Sequence, residues 1–534
     1  MSQPLASLAA LARAGAVERA WSLFESGGYA AQAHDPAALV VKGRLLKGRA
    51  RQTHGAERQR LMAQAAAAYG AAHGLTPAPY LAINAATLSL LAGERVRAED
   101  GARAVLALLD APEPPADTPY FLAATRAEAL LLLGDASAAS AALEQAASHD
   151  PDGWDDRAAT LAQLREIIAE QRGDDGWLAP FAPPTSLHYA GHMGLAAGGA
   201  GETQLAIALD RLLPGLGIGF AWGALAAGAD IVIAERLLAA GAELHAVLPC
   251  PVDQFEAQSV APAGPEWTGR FRAVLATAAS LRIAGSDAAS VHDPLATAFA
   301  GELAIGGAVL NAARFGTAVS QLIVCDEHGG GTNTARQAAL WQPVLGEQHR
   351  LAVPRDAAVE ALFPPEQPDP ARQLALHVAI GLDELVKLTP SPAEIATLTA
   401  PVGKALAALP SGTVRARAGL WEFTTADVGA GLGAIAAVLE ACRTAGTSCP
   451  AIGAHLAIGP VLADPASGTA VPYGPAPGLA RRLMQLAPAG MALASDPLAV
   501  AVAASGAGPI RSELYLPDEP DLGGAIHALL TSDQ

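Results

Sequence analysis

A chain of 534 residues, 51% of them apolar and only 16% charged, is too rich in burying surface to stay disordered. At roughly 100 to 200 residues per domain it has room for three or four. With 34 Lys and Arg against 52 Asp and Glu, a formal charge of −18, it has no electrostatic footprint for a phosphate backbone or an anionic bilayer, so neither nucleic acid nor membrane is expected as a partner.

The first twenty residues place no positive charge ahead of their apolar stretch, and Arg13 interrupts that stretch, so they do not read as a secretory signal. The uncharged run Leu212 to Ala229 contains Pro214 and glycines at 215, 217, 219, 223 and 228. Those residues would break a helix in lipid, and a strand with its turns fits better. A cytoplasmic location is expected. Cys250, Cys325, Cys442 and Cys449 are too few and scattered for a disulfide framework, and free thiols are expected.

Residues 1–178 read as helical throughout, with apolar positions at helical spacing and no β-branched run of strand length. Pro36, Pro79 and Pro119 each open a helix, and proline suits the first helical turn. PYLAINAATLSLLAG (79–93) and PYFLAATRAEALLLLG (119–134) begin alike, run as small-residue helices and stop at glycine before a second helix. The pattern resembles tetratricopeptide (TPR) repeats with a longer period, and implies protein partners; a plain helical bundle is the alternative.

From Leu187 short strands alternate with helices. LHYAGHM, IGFAWGA, ELHAVLP, SLRIAG, AVSQLIVCDE and HRLAVP read as strands, with helices around 201–213, 228–241, 267–278, 292–315 and 332–343. This order predicts an α/β doubly wound parallel sheet, Rossmann-like, over 185–354, with ligands outside the carboxyl ends of its strands. Three loops are candidate nucleotide-binding elements: Gly191-His192 with its glycine-rich continuation, Gly223 to Asp230 leading to Glu235, and Gly330-Gly331-Thr332. Glycine lets backbone approach a phosphate, and a helix N-terminus attracts anions. A glycine at a βα turn also has purely steric uses.

The Gly-His-Met and Gly-Ala-Asp turns, the acidic residue one helical turn on, and the strand ELHAVLP resemble the SLOG group of Rossmann-like domains. That resemblance implies a nucleotide or nucleotide-derived ligand. Some relatives are phosphoribohydrolases whose PGGxGTxxE loop places a catalytic glutamate. Here the loop reads HGGGTNTARQ, with Ala335 or Arg336 where the acid would stand, which favours binding over hydrolysis.

Residues 355–372 read as a proline-rich, acidic linker. Over 373–534, strands are expected near 374–381, 413–423, 451–461 and 490–494, with helices near 391–408, 426–445 and 476–488. The segment 452–497, with Gly459-Pro460-Val461, Tyr473-Gly474, Arg482 and Pro488 to Ser495 in order, resembles a class III adenylate/guanylate cyclase domain. The resemblance implies an α+β, ferredoxin-like fold and pairing as a homodimer or as a heterodimer with an active cyclase.

Cyclisation needs two metal ions held by two carboxylates. Aligned to the family, Val378 and Arg417 stand at those positions, Gly478 replaces the transition-state asparagine, and Arg482 is retained. Neither an isopropyl group nor a guanidinium ligates Mg²⁺, so no metal is expected; Asp383 and Glu384 lie near enough to supply displaced ligands. Arg417 is read either as a surface arginine or as a cation in the vacated metal position.

The combined reading is a bacterial signalling protein, without catalysis of its own, that binds a nucleotide-type ligand and partner proteins. An active nucleotide cyclase or hydrolase, and a purely structural scaffold, are the alternatives.

Overall fold

The computed structural model describes residues 3–13, 16–111, 116–285, 291–327, 331–341, 345–363, 365–382, 391–409, 412–417, 419–447, 449–463, 470–506, 510–522 and 524–531. They form two compact units, Met1–Pro183 in one and Pro184–Ala313 with Thr317–Asp533 in the other.

The first unit is helical. α1 (Gln3–Arg13) and α2 (Val17–Ser26) precede three packed pairs: α3 (Pro36–Arg51) with α4 (Gly55–Leu75), α5 (Pro79–Leu91) with α6 (Arg95–Leu109), and α7 (Pro119–Leu132) with α8 (Ala136–His149). Pro36, Pro79 and Pro119 occupy the first turns of α3, α5 and α7, where a missing N–H costs nothing. α5 and α7 also end alike. Gly93 and Gly134 take φ of 86° and 84°, and the next residues, Glu94 and Asp135, donate their N–H to the carbonyls of Ser89 and Leu130 at 2.9 and 3.1 Å, a cap that favours glycine.

Small residues bring the paired helices together. A Cβ on Gly101 of α6 would stand 2.9 Å from that of Ala86 on α5. The last helix of the unit, α9 (Trp154–Gln171), packs on α5 and α7. Its Leu161, Leu164, Ile167 and Ile168 are buried in one cluster with Ile83, Leu90, Ala127 and Leu131.

The second unit holds two sheets. The first contains β1 (Thr185–Gly191), β2 (Ile218–Gly223), β3 (Glu243–Leu248), β4 (Ser280–Ile283), β5 (Val319–Cys325) and β6 (Glu347–Ala352). Every pairing is parallel, in the order β4-β3-β2-β1-β5-β6. The crossovers are α10 (Ala200–Leu212), α11 (Ala229–Ala239), α12 (Val252–Ser259) with α13 (Pro265–Thr277), α14 (Pro294–Phe315) and α15 (Thr332–Leu340). The uncharged run 212–229 is the end of α10, a 3-10 turn, β2 and a loop.

The segment read as a linker contains a short helix, α16 (Ala357–Glu360), before the second sheet begins. That sheet comprises β7 (Arg372–Gly381), β8 (Thr413–Arg417), β9 (Leu420–Thr425), β10 (Ala451–Ala463), β11 (Ala470–Pro472), β12 (Ala492–Ser495), β13 (Ile510–Glu519) and β14 (Gly524–Thr531). Its order is β13-β14-β12-β10-β7-β9-β8, with β11 on β10; β10 and β12 run parallel and the other pairs antiparallel. Its helices are α17 (Pro392–Ala407), α18 (Val428–Ala445), α19 (Ala476–Leu486) and α20 (Asp496–Ser505). The single strand expected over 413–423 is a hairpin, and α12, α20, β13 and β14 were not expected.

One hydrophobic cluster runs from Leu187 and Leu244 of the first sheet through Ala300 and Leu303 of α14 and Val500 of α20 to Leu376, Ile452 and Leu529 of the second. α14 and α20 touch backbone to side: a Cβ on Gly306 would overlap the Val500 carbonyl. An ion pair between Arg372 and Asp293 (3.3 Å, side chains 7% and 6% exposed) and another between Arg282 and Asp496 join the same two layers. α14 and α18 are long and apolar enough to cross a membrane by length and composition alone. Cys250, Cys325 and Cys442 are buried free thiols, and Cys449 is a half-buried one.

Candidate ligand cavity at the sheet switch point

In the first sheet, strands advance from β1 through β2 and β3 to β4 on one side, then restart at β5 on the other. Loops leaving β1 and β5 therefore diverge, and open α/β sheets bind ligands in that crevice. A cavity of about 420 Å³ lies there. Gly191 to Gly194 after β1, Ala224 and Ala226 after β2, and Pro249 after β3 form its floor. Thr297, Ala300, Gly301 and Ala304 of α14 form one wall, Gly331 to Thr334 at the start of α15 another, and Arg355, Glu360, Phe363 and Glu366 the outer rim.

The loops are held by side chains from neighbouring elements. Asp230, in the first turn of α11, accepts the N–H of Gly191 at 2.8 Å and of Ala226 at 3.3 Å, bracing two loops at once. Burial without a neighbouring cation pushes its carboxyl up to about 7, against the pull of those two N–H groups. Thr334 donates its hydroxyl to the Gly191 carbonyl at 2.9 Å. His192, 3% exposed, pairs Nε2 with the Val353 carbonyl at 3.0 Å. A carbonyl only accepts, so Nε2 carries the proton and Nδ1 is a bare acceptor; among the described residues that buried Nδ1 has no partner. Burial, ahead of the nearby Arg355, lowers the ring's affinity for a second proton.

Beneath the cavity a buried amide and imidazole network fixes α15. His188 Nε2 donates to Gln337 at 2.9 Å and its Nδ1 accepts from Gln321 at 3.0 Å. Gln348 donates to Gln321 and, at 2.9 Å, to the Ala338 carbonyl. Burial pushes His188 down to about 4, so the ring is neutral and both its nitrogens are used.

At the rim, Arg355 pairs with Asp326 and Glu360, each at 2.6 Å. Its neighbour Asp356 donates its N–H to the Gly194 carbonyl at 2.8 Å. The guanidinium is thus neutralised in place.

Of the residues singled out from sequence, Gly191, His192, Asp230, Gly331 and Thr332 come together on the cavity wall. Gly330 lies outside the described residues. Gly223 stands against the Tyr189 ring, which a Cβ would meet at 2.5 Å. Glu235 is engaged by Arg270 at 2.6 Å, with Glu202 on the same guanidinium. Neither lines the cavity. Thr297, Asn333, Thr334 and Gln337, with Arg355, Glu360, Phe363 and Glu366 at the rim, line the cavity without having been singled out from the sequence. Arg355 carried a usable signal, since it closely follows the end of a parallel strand.

On the second sheet, Val378 faces the core with Phe423 opposite it. Arg417, exposed at the end of β8, pairs in register with Leu420, which pairs with Gly381. By strand alternation Val378 and Arg417 lie on opposite faces. Gly478 and Arg482 are both exposed, one turn apart on α19. Asp383 and Glu384 fall outside the described residues. Among the described residues no group of three or more His, Cys, Asp or Glu is arranged to hold a metal ion.

Residues 6–89 match the family TPR-S, Tetratricopeptide Repeats-Sensor. No curated protein matches the chain. Among solved structures, the adenylyl cyclase CyaB from P. aeruginosa is similar at 16% identity over 30% of this chain and 96% of its own, with a TM-score of 0.25. The guanylyl cyclase Cya2 is similar at 14% identity over 30% and 90%, TM-score 0.23. An adenylate/guanylate cyclase/hydrolase from Silicibacter pomeroyi is similar at 15% identity over 30% and 95%, TM-score 0.24.

Proposed function

We propose that the chain is a signalling protein that binds a nucleotide-type ligand in the cavity at the β1/β5 switch point, without turnover of its own. Partner proteins engage the helical repeats, and the cyclase-like second sheet serves as a scaffold. The observation that carries the reading is the cavity itself: a concave site at the carboxyl ends of parallel strands, lined by the N-terminus of α15 and by His192. The absence of turnover rests on the sequence resemblance alone, which aligns Val378 and Arg417, neither of them a carboxylate, with the family's metal ligands.

A thermal-shift screen of nucleosides and nucleotides, with and without Mg²⁺ and Mn²⁺, tests it. A ligand that binds only the folded chain raises stability by RT ln(1 + [L]/Kd), about 2.7 kcal/mol at a hundredfold excess over Kd. At least one nucleotide is expected to raise the melting temperature without metal, and Thr297→Trp, which fills the cavity from α14, to abolish that rise. Conversion of ATP or GTP to a cyclic product would overturn the non-catalytic reading.

A further inference from the structure

The charges around the cavity at the β1/β5 switch point say which ligands it can take. Among the described residues that line it, Arg355 is the one lysine or arginine, and its guanidinium is held between Asp326 and Glu360, each at 2.6 Å. Glu366, on the same rim, is met by Arg336 at 3.8 Å, and Arg336 also donates to the Pro294 carbonyl at 3.3 Å. Two guanidinium groups are thus set against three carboxylates, and Asp230 adds a carboxyl to the wall. The net charge of −18 adds repulsion of the same sign.

The rest of the lining offers little to a phosphate. Val247, Pro249, Phe255, Ala300, Ala304 and Phe363 are apolar. Thr297, Thr334 and Gln337 are engaged within the protein: Thr297 donates to the Pro294 carbonyl at 3.2 Å, Thr334 donates to the Gly191 carbonyl at 2.9 Å, and the Gln337 side-chain oxygen accepts from His188 at 2.9 Å.

The element that attracts an anion is the start of α15, where Thr332, Asn333 and Thr334 form the first turn on the cavity wall. A helix end carries about half a positive charge. That suits a hydroxyl or a single phosphate, whereas polyphosphate sites add a free lysine or arginine to such a helix end. Here the guanidinium that could do so is already bound by carboxylates, and a triphosphate would have to compete with them.

We propose that the cavity selects against phosphate: its ligand is a nucleoside or a nucleotide of low charge, with its base against the apolar side chains, and affinity falls with each added phosphate. Glu360 is the specificity-determining residue, because it holds the guanidinium that would otherwise meet a polyphosphate. The proposal rests on the reading of the cavity as a nucleotide-type site and narrows it to the weakly charged members of that class.

The test is equilibrium titration of the full chain, wild type and Glu360→Gln, with adenosine, AMP, ADP and ATP and with the corresponding guanosine series. A chelator keeps divalent cations from masking the phosphates. In a series that binds, the nucleoside is expected to bind the wild-type chain at least about tenfold more tightly than the triphosphate, with a gap that narrows as salt screens the rim. Glu360 is exposed at the end of α16, so its substitution leaves the core untouched. In Glu360→Gln the released Arg355 is expected to narrow the gap by at least about fivefold.

A triphosphate that binds the wild-type chain as tightly as its nucleoside would leave the ligand reading standing and overturn the selection against phosphate. A gap unchanged in Glu360→Gln would overturn the role of Glu360. Failure of every member of both series to bind would remove the ligand reading, and this inference with it.

Discussion

Asp230, one of the candidate nucleotide-binding residues, braces the cavity loops from the start of a helix. In the sequence it stands at a helix start after a glycine turn. In the fold its two oxygens are taken by the N–H groups of Gly191 and Ala226, so it braces two loops of the cavity. Its titration has a definite sign. In the unfolded chain the carboxyl ionises near 3.9, while in the fold burial raises it to about 7. Below roughly pH 4 it is neutral in both states and costs nothing; between about 4 and 7 the folded form binds the extra proton, so stability falls as pH rises. The full cost above 7 is on the order of 4 kcal/mol. Asp230→Asn is expected to flatten this dependence, which denaturant titrations at pH 5 and pH 8 would reveal; an unchanged slope would refute it. The buried network of His188, Gln321 and Gln337 was not legible, because single polar residues inside apolar strands carry no periodicity and acquire meaning only when the chain brings them together.

Among elements, those with a strong period were readable and those whose pattern was set by a distant neighbour were not. The six strands of the first sheet follow from apolar runs bounded by glycine and charged turns. The hairpin β8–β9 reads as one strand in the sequence because Arg417 to Leu420 lacks the Asn-Gly or Asp-Gly signature of a tight turn. α20, with its Ala and Val alternation, looks as much like a strand as a helix; what makes it a helix core is its crossing with α14.

That crossing makes a sharp prediction. Gly306→Val would drive its Cβ into the Val500 carbonyl and is expected to cost about 1–3 kcal/mol or more. Gly433→Ala on α18, where a Cβ meets nothing within 4 Å, is expected to gain about 0.5–1 kcal/mol. Thermal melts of the two variants should therefore move in opposite directions, and a neutral Gly306→Val would show that the helices do not touch.

For the molecule as a whole, acid is the vulnerability. His188, His377 and His455 are all buried and each is pushed down to about 4 by desolvation, with His377 adding to the effect on His455. The unfolded chain protonates histidine near 6.5. Stability contributed by the neutral rings is present above that pH and is lost as pH falls from about 6.5 towards 4, by roughly 3 kcal/mol for each ring. His245 is pushed down to about 4 in the same way; Asp230, with Glu128 and Glu302, whose carboxyls burial also raises, works in the opposite sense. A net loss of a few kcal/mol between pH 7 and pH 5 is expected in urea titrations, and a chain more stable at pH 5 than at pH 7 would contradict it. The net charge of −18 gives no hint of this, since it counts surface carboxylates rather than groups deprived of water.

The docking of α14 against α20 bears on how the polypeptide can be divided. A cut through the segment 355–372, chosen from its proline and acidic content, would separate a pair of sheets that share one hydrophobic cluster. An excised piece beginning at β7 would present Val500 and Ala504, now covered by Gly306, Ile305 and Trp341, directly to water. It would also take Asp293 from Arg372 and Arg282 from Asp496. The two sheets of the second unit share one hydrophobic cluster, so a piece that keeps the second sheet covered also keeps the cavity.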